Sequence, residues 1–409
     1  MLSLIWLGFF LVAFISTLYQ WLMFGDPHIF AKVVSASFDM AKLGVEIAIG
    51  LIGVLCLWLG FFQIAERAGL IQTLARWLSP LFHHLMPEIP KGHPAVGSVT
   101  MNLAANVLGL DNAATPMGLK AMQDLQSLNT SPETATNAQI LFLVLNTSSV
   151  TLLPVTIFLY RTQQGATDPT AVFIPILLAT SASTLVGLLM VAWIQRLKLW
   201  QPVVLAYFAV FAVLMALFIT YLGGLSPASL SEQSSLIGNF TLLSVIATFL
   251  FMGWYRKINV YEAFIDGAKQ GFEVCVKLIP FLVGMLVAIG VLRASGALDV
   301  LLTMLRILIE WLGVNTDFVP AVPTALMKPL SGSGARAMML ETMNTYGVDS
   351  FPATVSAIVQ GSTETTFYVL AVYFGSVGIR RVRHAVTCGL IADLTGVITA
   401  IAVGYWFFH

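Results

Sequence analysis

The chain alternates long apolar runs with short polar interruptions. About 20 apolar residues carry a helix across a bilayer. Stretches of that kind are Leu2–Phe24, Val45–Ile64, Val172–Ile194, Val203–Leu222, Leu236–Trp254, Leu278–Leu292 and Ala385–Phe408. The first has no basic flank and is too long for the apolar core of a signal peptide, so it is read as a retained helix. Other segments are broken. Val96–Leu108 is helix-like, meets a polar stretch from Gly109 to Pro116, and resumes from Met117 to Leu125. Ala138–Leu145 runs into Asn146–Pro154 and continues apolar to Leu159. At membrane depth such interruptions leave backbone groups unpaired, and they survive only inside protein or along a wet cavity. The pattern predicts an all-α, polytopic integral membrane protein with about ten spanning or half-spanning elements.

The pattern also repeats. Asp39, Ala41, Lys42, Gly44 and Glu46 match Asp266, Ala268, Lys269, Gly271 and Glu273, and Gly69 and Gly296 keep the same spacing. Leu110–Met122 then corresponds to Ser331–Met343, and Asn146–Thr151 to Gln360–Thr365. Paired interrupted segments point to a transporter's binding site. The division expected is a first repeat over residues 1–200, a connector helix and loop over 201–231, and a second repeat over 232–409. Basic residues cluster at Arg196 and Lys198, at Arg256 and Lys257, and at Arg380, Arg381 and Arg383, whereas the loop from Gly223 to Ser235 has none. Placing these clusters in the cytoplasm makes Val172–Ile194 and Ala385–Phe408 run in opposite directions, so the repeats are expected to be inverted.

Composition narrows the function classes. Hydrophobic residues make up 58% and charged residues 10% of the 409, and mean hydropathy is +0.87. Too few charges remain to coat a water-facing surface, which excludes a soluble enzyme, and the hydrophobicity excludes disorder. A formal net charge of 0 leaves no basic excess for nucleic acid. Cys56, Cys275 and Cys388 are dispersed in apolar segments, so neither disulfides nor a metal knuckle is expected.

At the interruptions a family resemblance emerges. Asn102-Leu-Ala-Ala-Asn106-Val-Leu-Gly109-Leu-Asp-Asn112-Ala-Ala-Thr115-Pro116 resembles the hallmark of the spore maturation protein A family. Pro329-Leu-Ser331-Gly-Ser333-Gly-Ala, and Gln360-Gly-Ser362-Thr-Glu364-Thr-Thr-Phe-Tyr368, resemble that of spore maturation protein B. The chain is similar to the two fused, with the connector at the junction. The resemblance implies a nucleoside-recognition or gate domain, similar to parts of concentrative nucleoside transporters and bacterial ferrous-iron transporters. It implies a membrane solute pathway and leaves the solute open.

Candidate solute-binding residues follow from the breaks: Asn106, Asn112 and Thr115; Asn146, Thr147, Ser148, Ser149 and Thr151; Ser331 and Ser333; and Gln360, Ser362, Thr363 and Thr365. Hydrogen-bonding side chains in apolar surroundings are costly to bury dry. Their bland alternatives are helix capping and hydroxyls bonding back to their own helix. Asp111, Arg336, Glu341, Glu364 and Asp393 are candidates for ion or proton coupling, or for a charge pair, with Glu341 or Glu364 as partner of Arg336. Lys42 with Glu46, and Lys269 with Glu273, read as interfacial pairs at i,i+4. His83, His84, His93 and Glu88 flank a Pro-rich loop, but adjacent histidines point apart on a helix, and no metal site is assigned. No nucleophile elbow, P-loop or metalloprotease motif is present, so no catalytic residue is assigned and an enzyme is not expected.

The expectation is an inner-membrane, multi-pass bacterial transporter of a small polar solute, nucleoside-like by resemblance, working by alternating access. It would need no cofactor beyond a coupling Na or H ion. Its partners would be the lipid bilayer and the solute, with a homo-oligomer open and no nucleic acid. The alternatives are a non-transporting membrane scaffold or regulator of envelope or spore maturation, and a ferrous-type metal permease. Against the last, neither polar break at Asn146–Thr151 or Gln360–Thr366 carries Cys or Met as a soft ligand.

Overall fold

The computed structural model describes every residue except Met1, Leu110, Ser149 and Val150; nothing is said of the side chains of Leu2, Asp111, Asn112, Ala113, Pro227 and Ala228. The described chain is helical throughout. In order, the helices are α1 (Leu2–Phe24), α2 (Ile29–Arg67), α3 (Leu70–Leu85), α4 (Pro94–Val107), α5 (Asp111–Gln126), α6 (Asn137–Ser148), α7 (Val155–Gln163), α8 (Phe173–Gln195), α9 (Pro202–Gly223), α10 (Pro227–Tyr255), α11 (Val260–Ala294), α12 (Ala297–Trp311), α13 (Val322–Met327), α14 (Gly332–Tyr346), α15 (Phe351–Ser362), α16 (Thr366–Ser376) and α17 (Ala385–Phe408). Seven of them, α1, α2, α8, α9, α10, α11 and α17, are long and apolar enough to cross a membrane. The protein is an all-α polytopic membrane protein. Large apolar side chains on α1, α9, α10 and α12 point outward, as lipid contact requires, and α9 buries only Val204 and Leu222.

Two of these helices are longer than their apolar runs. α2 has 39 residues and α11 has 35, about 58 and 52 Å at 1.5 Å per residue, against a hydrocarbon core of about 30 Å. Each ends at a glycine in the left-handed region, Gly69 (φ 78°) and Gly296 (φ 70°), which stops the helix and re-aims the chain into the amphipathic α3 or α12. The long helices pack antiparallel. Gly44 faces Val283, Gly60 faces Phe264 and Gly271 faces Cys56, while Arg67 at the end of α2 reaches Asp266 near the start of α11 at 2.7 Å. Lys42 meets Glu46 at 3.6 Å. Lys269 turns instead to Asp266, also at 3.6 Å, and not to Glu273.

The interruptions come in two kinds. α4 and α5 lie against each other as a re-entrant hairpin: Asn102 Nδ2 donates to Ala114 O at 2.8 Å, and Ser98 bonds Asp124 nearer the base. α13 and α14 form the second hairpin, with Met327 against Gly334. By contrast, α6–α7 and α15–α16 are single helices unwound in the middle. α5 begins at Asp111, earlier than Met117, so Pro116 lies inside the helix.

The two halves run in opposite directions. Gln195, ending α8, donates to Asn137 O at the start of α6 and meets His384 just ahead of α17. Arg380 N and Arg381 N, beyond α16, donate to Glu133 O in the α5–α6 loop. These ends share one face. Arg161, in the last turn of α7, donates to Val348 O and to Asp349 just ahead of α15, on the opposite face. Hence α6–α7 leaves the first face and α15–α16 arrives at it. The loop with Arg196 and Lys198 also lies there. So does the loop with Arg256 and Lys257: Gly253 packs on Ile64 near the end of α2, and Trp77 of the following α3 is bonded by Tyr207 of α9. One face thus carries the basic clusters, as a cytoplasmic face does.

Candidate functional site

The hairpin tips and the unwound middles converge on one cavity of about 230 Å³. Each interruption contributes. Asn106 and Thr115 come from the first hairpin, and Asn146, Thr151 and Tyr160 from the first broken helix. Lys328 and Arg336 come from the second hairpin, and Gln360, Thr363 and Glu364 from the second broken helix. Tyr368 and Tyr373 of α16 close one wall.

Freed backbone groups at this depth need partners, and the two halves supply them in parallel ways. Leu152 N donates to Val107 O at 3.1 Å, tying the first unwound segment to the first hairpin tip. Phe367 N donates to Pro329 O at 2.9 Å, doing the same in the second half. One bond crosses between halves: Glu364 N donates to Thr147 O at 2.7 Å. The Ser148 carbonyl accepts from the Thr180 and Thr184 hydroxyls at 3.3 and 2.9 Å. The Thr147 and Ser148 carbonyls that end α6 are therefore satisfied by protein.

Side-chain ties between tip and broken helix occupy neighbouring places, one position apart in the repeat. In the first half Asn106 Nδ2 donates to Asn146 Oδ1 at 2.8 Å. In the second, Lys328 Nζ donates to Gln360 O at 2.8 Å. Lys328 is 3% exposed, and a lysine so buried needs charge compensation. On α17, Asp393 is also 3% exposed, and its Oδ2 accepts from the Thr366 hydroxyl at 2.5 Å. Sequence reading passed over Lys328, although a lysine directly before Pro329-Leu-Ser331 in an apolar stretch is the signal that marks it.

The other sequence candidates divide. Asp111, Asn112 and Ser149 lie outside the described residues, the first two in their side chains. Asn106, Thr115, Asn146, Thr151, Gln360, Thr363, Arg336 and Glu364 are gathered at the cavity. Ser331 is the N-cap of α14, accepting from Gly334 N at 3.0 Å and meeting the Ser333 hydroxyl at 3.2 Å. Ser362 bonds back to Val359 O at 2.8 Å. Thr147, Ser148 and Thr365 are buried behind the cavity wall. For Ser331 and Ser362 the local cap and back-bond replace the expected solute contact, because the hydroxyl finds a backbone partner within its own turn.

Glu341 does not pair with Arg336. It binds Arg293 of α11, with Arg293 Nη2 at 3.0 Å from Oε2. Five residues apart on α14, Arg336 and Glu341 point about 140° from each other. Arg336 lies instead over the Tyr160 ring, 5.3 Å from its centroid, a cation–π contact. Among the described residues no carboxylate lies within 4 Å of Arg336, and Glu364 is exposed to the cavity. The site therefore offers neutral amides and hydroxyls from the first half and both signs of charge from the second. Among the described residues Gln360 Oε1 is buried without a hydrogen-bond partner.

Comparison with known proteins agrees with this architecture. The family described as Gate: Nucleoside recognition matches residues 48–162 and 275–380, more than half of the chain and including both hairpins and both broken helices. Spore maturation protein B of Bacillus subtilis (strain 168) is 44% identical over 159 residues, 39% of this chain and 88% of that protein. Spore maturation protein A of the same strain is 42% identical over 151 residues, 37% of this chain and 77% of that protein. No solved structure matches the chain. With hairpins and broken helices inside the matched segments, the chain belongs to the nucleoside-recognition Gate family, with spore maturation proteins A and B among its relatives.

Proposed function

We propose that this protein carries a small polar solute across the bacterial inner membrane by alternating access, with the central cavity as its binding site. The observation that carries this reading is the convergence of two hairpin tips and two unwound helices, from halves of opposite direction, on one polar cavity. Irregular backbone at membrane depth, paired in oppositely oriented halves, is how transporters build a site that opens to either side. The amides of Asn106, Asn146 and Gln360 offer donors and acceptors, Tyr160, Tyr368 and Tyr373 offer ring faces, and Lys328, Arg336 and Glu364 hold charged ends. A nucleoside-like solute, as the family description suggests, has a ring to stack and hydroxyls to bond. Asp393 and Glu364 are the carboxylates for a coupling Na or H ion.

The test is a thermal-shift screen of purified protein with nucleosides, nucleobases, amino acids, dicarboxylates and divalent metals, with and without sodium. A bound solute stabilises the native state by about 2.7 kcal/mol at a hundred times its dissociation constant. The expected result is a saturable shift that Asn146→Ala and Glu364→Gln each abolish, followed by flux into liposomes. No shift from any compound in well-folded protein, or a shift untouched by both variants, defeats the reading.

A further inference from the structure

A second cavity lies away from the central one, where α3 and the loop after it meet the start of α9. It measures about 760 Å³, and its lining includes Arg76, His83, His84, Lys91, Ser79 and Gln201. No acidic side chain lines it among the described residues. Glu88, the acid of the same loop, is engaged elsewhere: its Oε1 accepts from Asn137 Nδ2 at 2.6 Å. Neither Arg76 nor Lys91 has an ion pair within 4 Å among the described residues. Among the described residues Arg76 donates to the Thr73 hydroxyl at 3.3 Å. Two uncompensated cations and two imidazoles thus face one concave space.

Its level in the membrane is marked by tryptophans. Trp77 on α3 is 70% exposed and Trp200, just ahead of α9, is 86% exposed. Exposed tryptophans gather at the headgroup layer. α3 is amphipathic and joined to α9 by the Tyr207 hydroxyl on Trp77 O, as expected of a helix lying in the interface. The cavity opens on the face that carries the other basic clusters, where the leaflet is anionic.

We propose that this cavity binds the phosphate group of an anionic phospholipid in that leaflet. Phosphate is the shared chemistry of a lipid headgroup and a free anion; the flanking tryptophans and the lipid-facing α9 favour the lipid. The inference stands independently of transport. Purified full-length protein is titrated with short-chain phosphatidylglycerol, short-chain phosphatidylcholine or inorganic phosphate, and unfolding midpoints are recorded. Phosphatidylglycerol should raise the midpoint saturably and phosphatidylcholine should not. Arg76→Gln with Lys91→Gln should weaken the apparent affinity about thirtyfold, at about a factor of five per cation. Arg256→Gln with Lys257→Gln, in a basic cluster on the same face, should leave it within about twofold. Equal shifts from both lipids, or an unchanged titration in the Arg76/Lys91 variant, overturn the proposal. A comparable shift from inorganic phosphate alone overturns the lipid assignment. Should the double variant not fold, Lys91→Gln alone, in an exposed loop, should weaken binding about fivefold, and no change there is equally decisive.

Discussion

In the first half of the molecule a hairpin tip is tied to its broken helix by two asparagines. In the second half a lysine ammonium reaches a backbone carbonyl from a neighbouring place in the repeat. Both ties hold a tip against an unwound segment, but they differ in what they bring into the membrane. The Asn106–Asn146 pair is neutral. Lys328 imports a buried charge. One architecture can thus be kept while the electrostatics of its two halves diverge, so that a pseudo-symmetric frame presents an asymmetric site.

The sharpest way to break this comparison is to remove the two ties separately. Lys328→Met strips a buried charge from its partners and should cost about 3–5 kcal/mol. Asn106→Ala leaves Asn146 Oδ1 without its donor and should cost about 1–3 kcal/mol. Denaturant titration of the two variants measures the difference; equal losses would mean that the charge adds nothing to the tie.

The long-helix seam sharpens it further. A Cβ at Gly271 would stand 2.7 Å from Cys56 N, whereas one at Gly44, the matching position, would stand 3.1 Å from Val283 N. Gly271→Ala must move backbone and should cost about 1–3 kcal/mol, and Gly44→Ala should cost less than about 1 kcal/mol. Thermal unfolding of the pair would reverse this order only if the α11 side of the seam yields more readily.

The smallest effect concerns the loops that tie the halves at opposite faces. One uses main-chain bonds between Glu133 and Arg380–Arg381. The other is ionic: buried Arg161 holds Asp349 at 3.2 Å, and Thr167 N and its hydroxyl donate to the same carboxyl at 2.9 and 2.8 Å. Burial pushes the Asp349 pKa up, but the Thr167 bonds and the Arg161 charge outweigh it and leave it below the ordinary 3.8. A depressed folded pKa contributes stability above the unfolded value, lost as pH falls through the folded one. Asp349→Asn should therefore lower the stability at pH 7 by under about 1 kcal/mol, because the carboxyl is half exposed, read as a slight fall in melting temperature. The gap between variant and parent should close below pH about 4; a gap that persists at pH 2 would deny the ionic role.

The spans were legible in the sequence because an apolar run of fixed length has few other uses. The breaks were legible because polar and Gly-bearing stretches such as Asn146–Thr151 stand out at membrane depth. Whether a break is a hairpin or an unwound helix was not legible: helix, break and helix read alike, and only the packing of α4 on α5 separates them. Lys328 escaped because its tie is to the Gln360 backbone carbonyl, which no side-chain pattern announces. The partner of Arg336 was misassigned because Glu341, near in sequence, points the other way around α14, and the contact made is with the Tyr160 ring from the other half.

The antiparallel pair of α2 and α11 has a mechanical consequence. Sliding of packed helices relies on side chains at the contact that readjust. Where Gly267 approaches Leu59 O and Gly271 approaches Cys56 N, backbone meets backbone. At those two crossings the pair resists shear. In the proposed transport cycle, this pair is the fixed element about which the rest of the molecule would pivot.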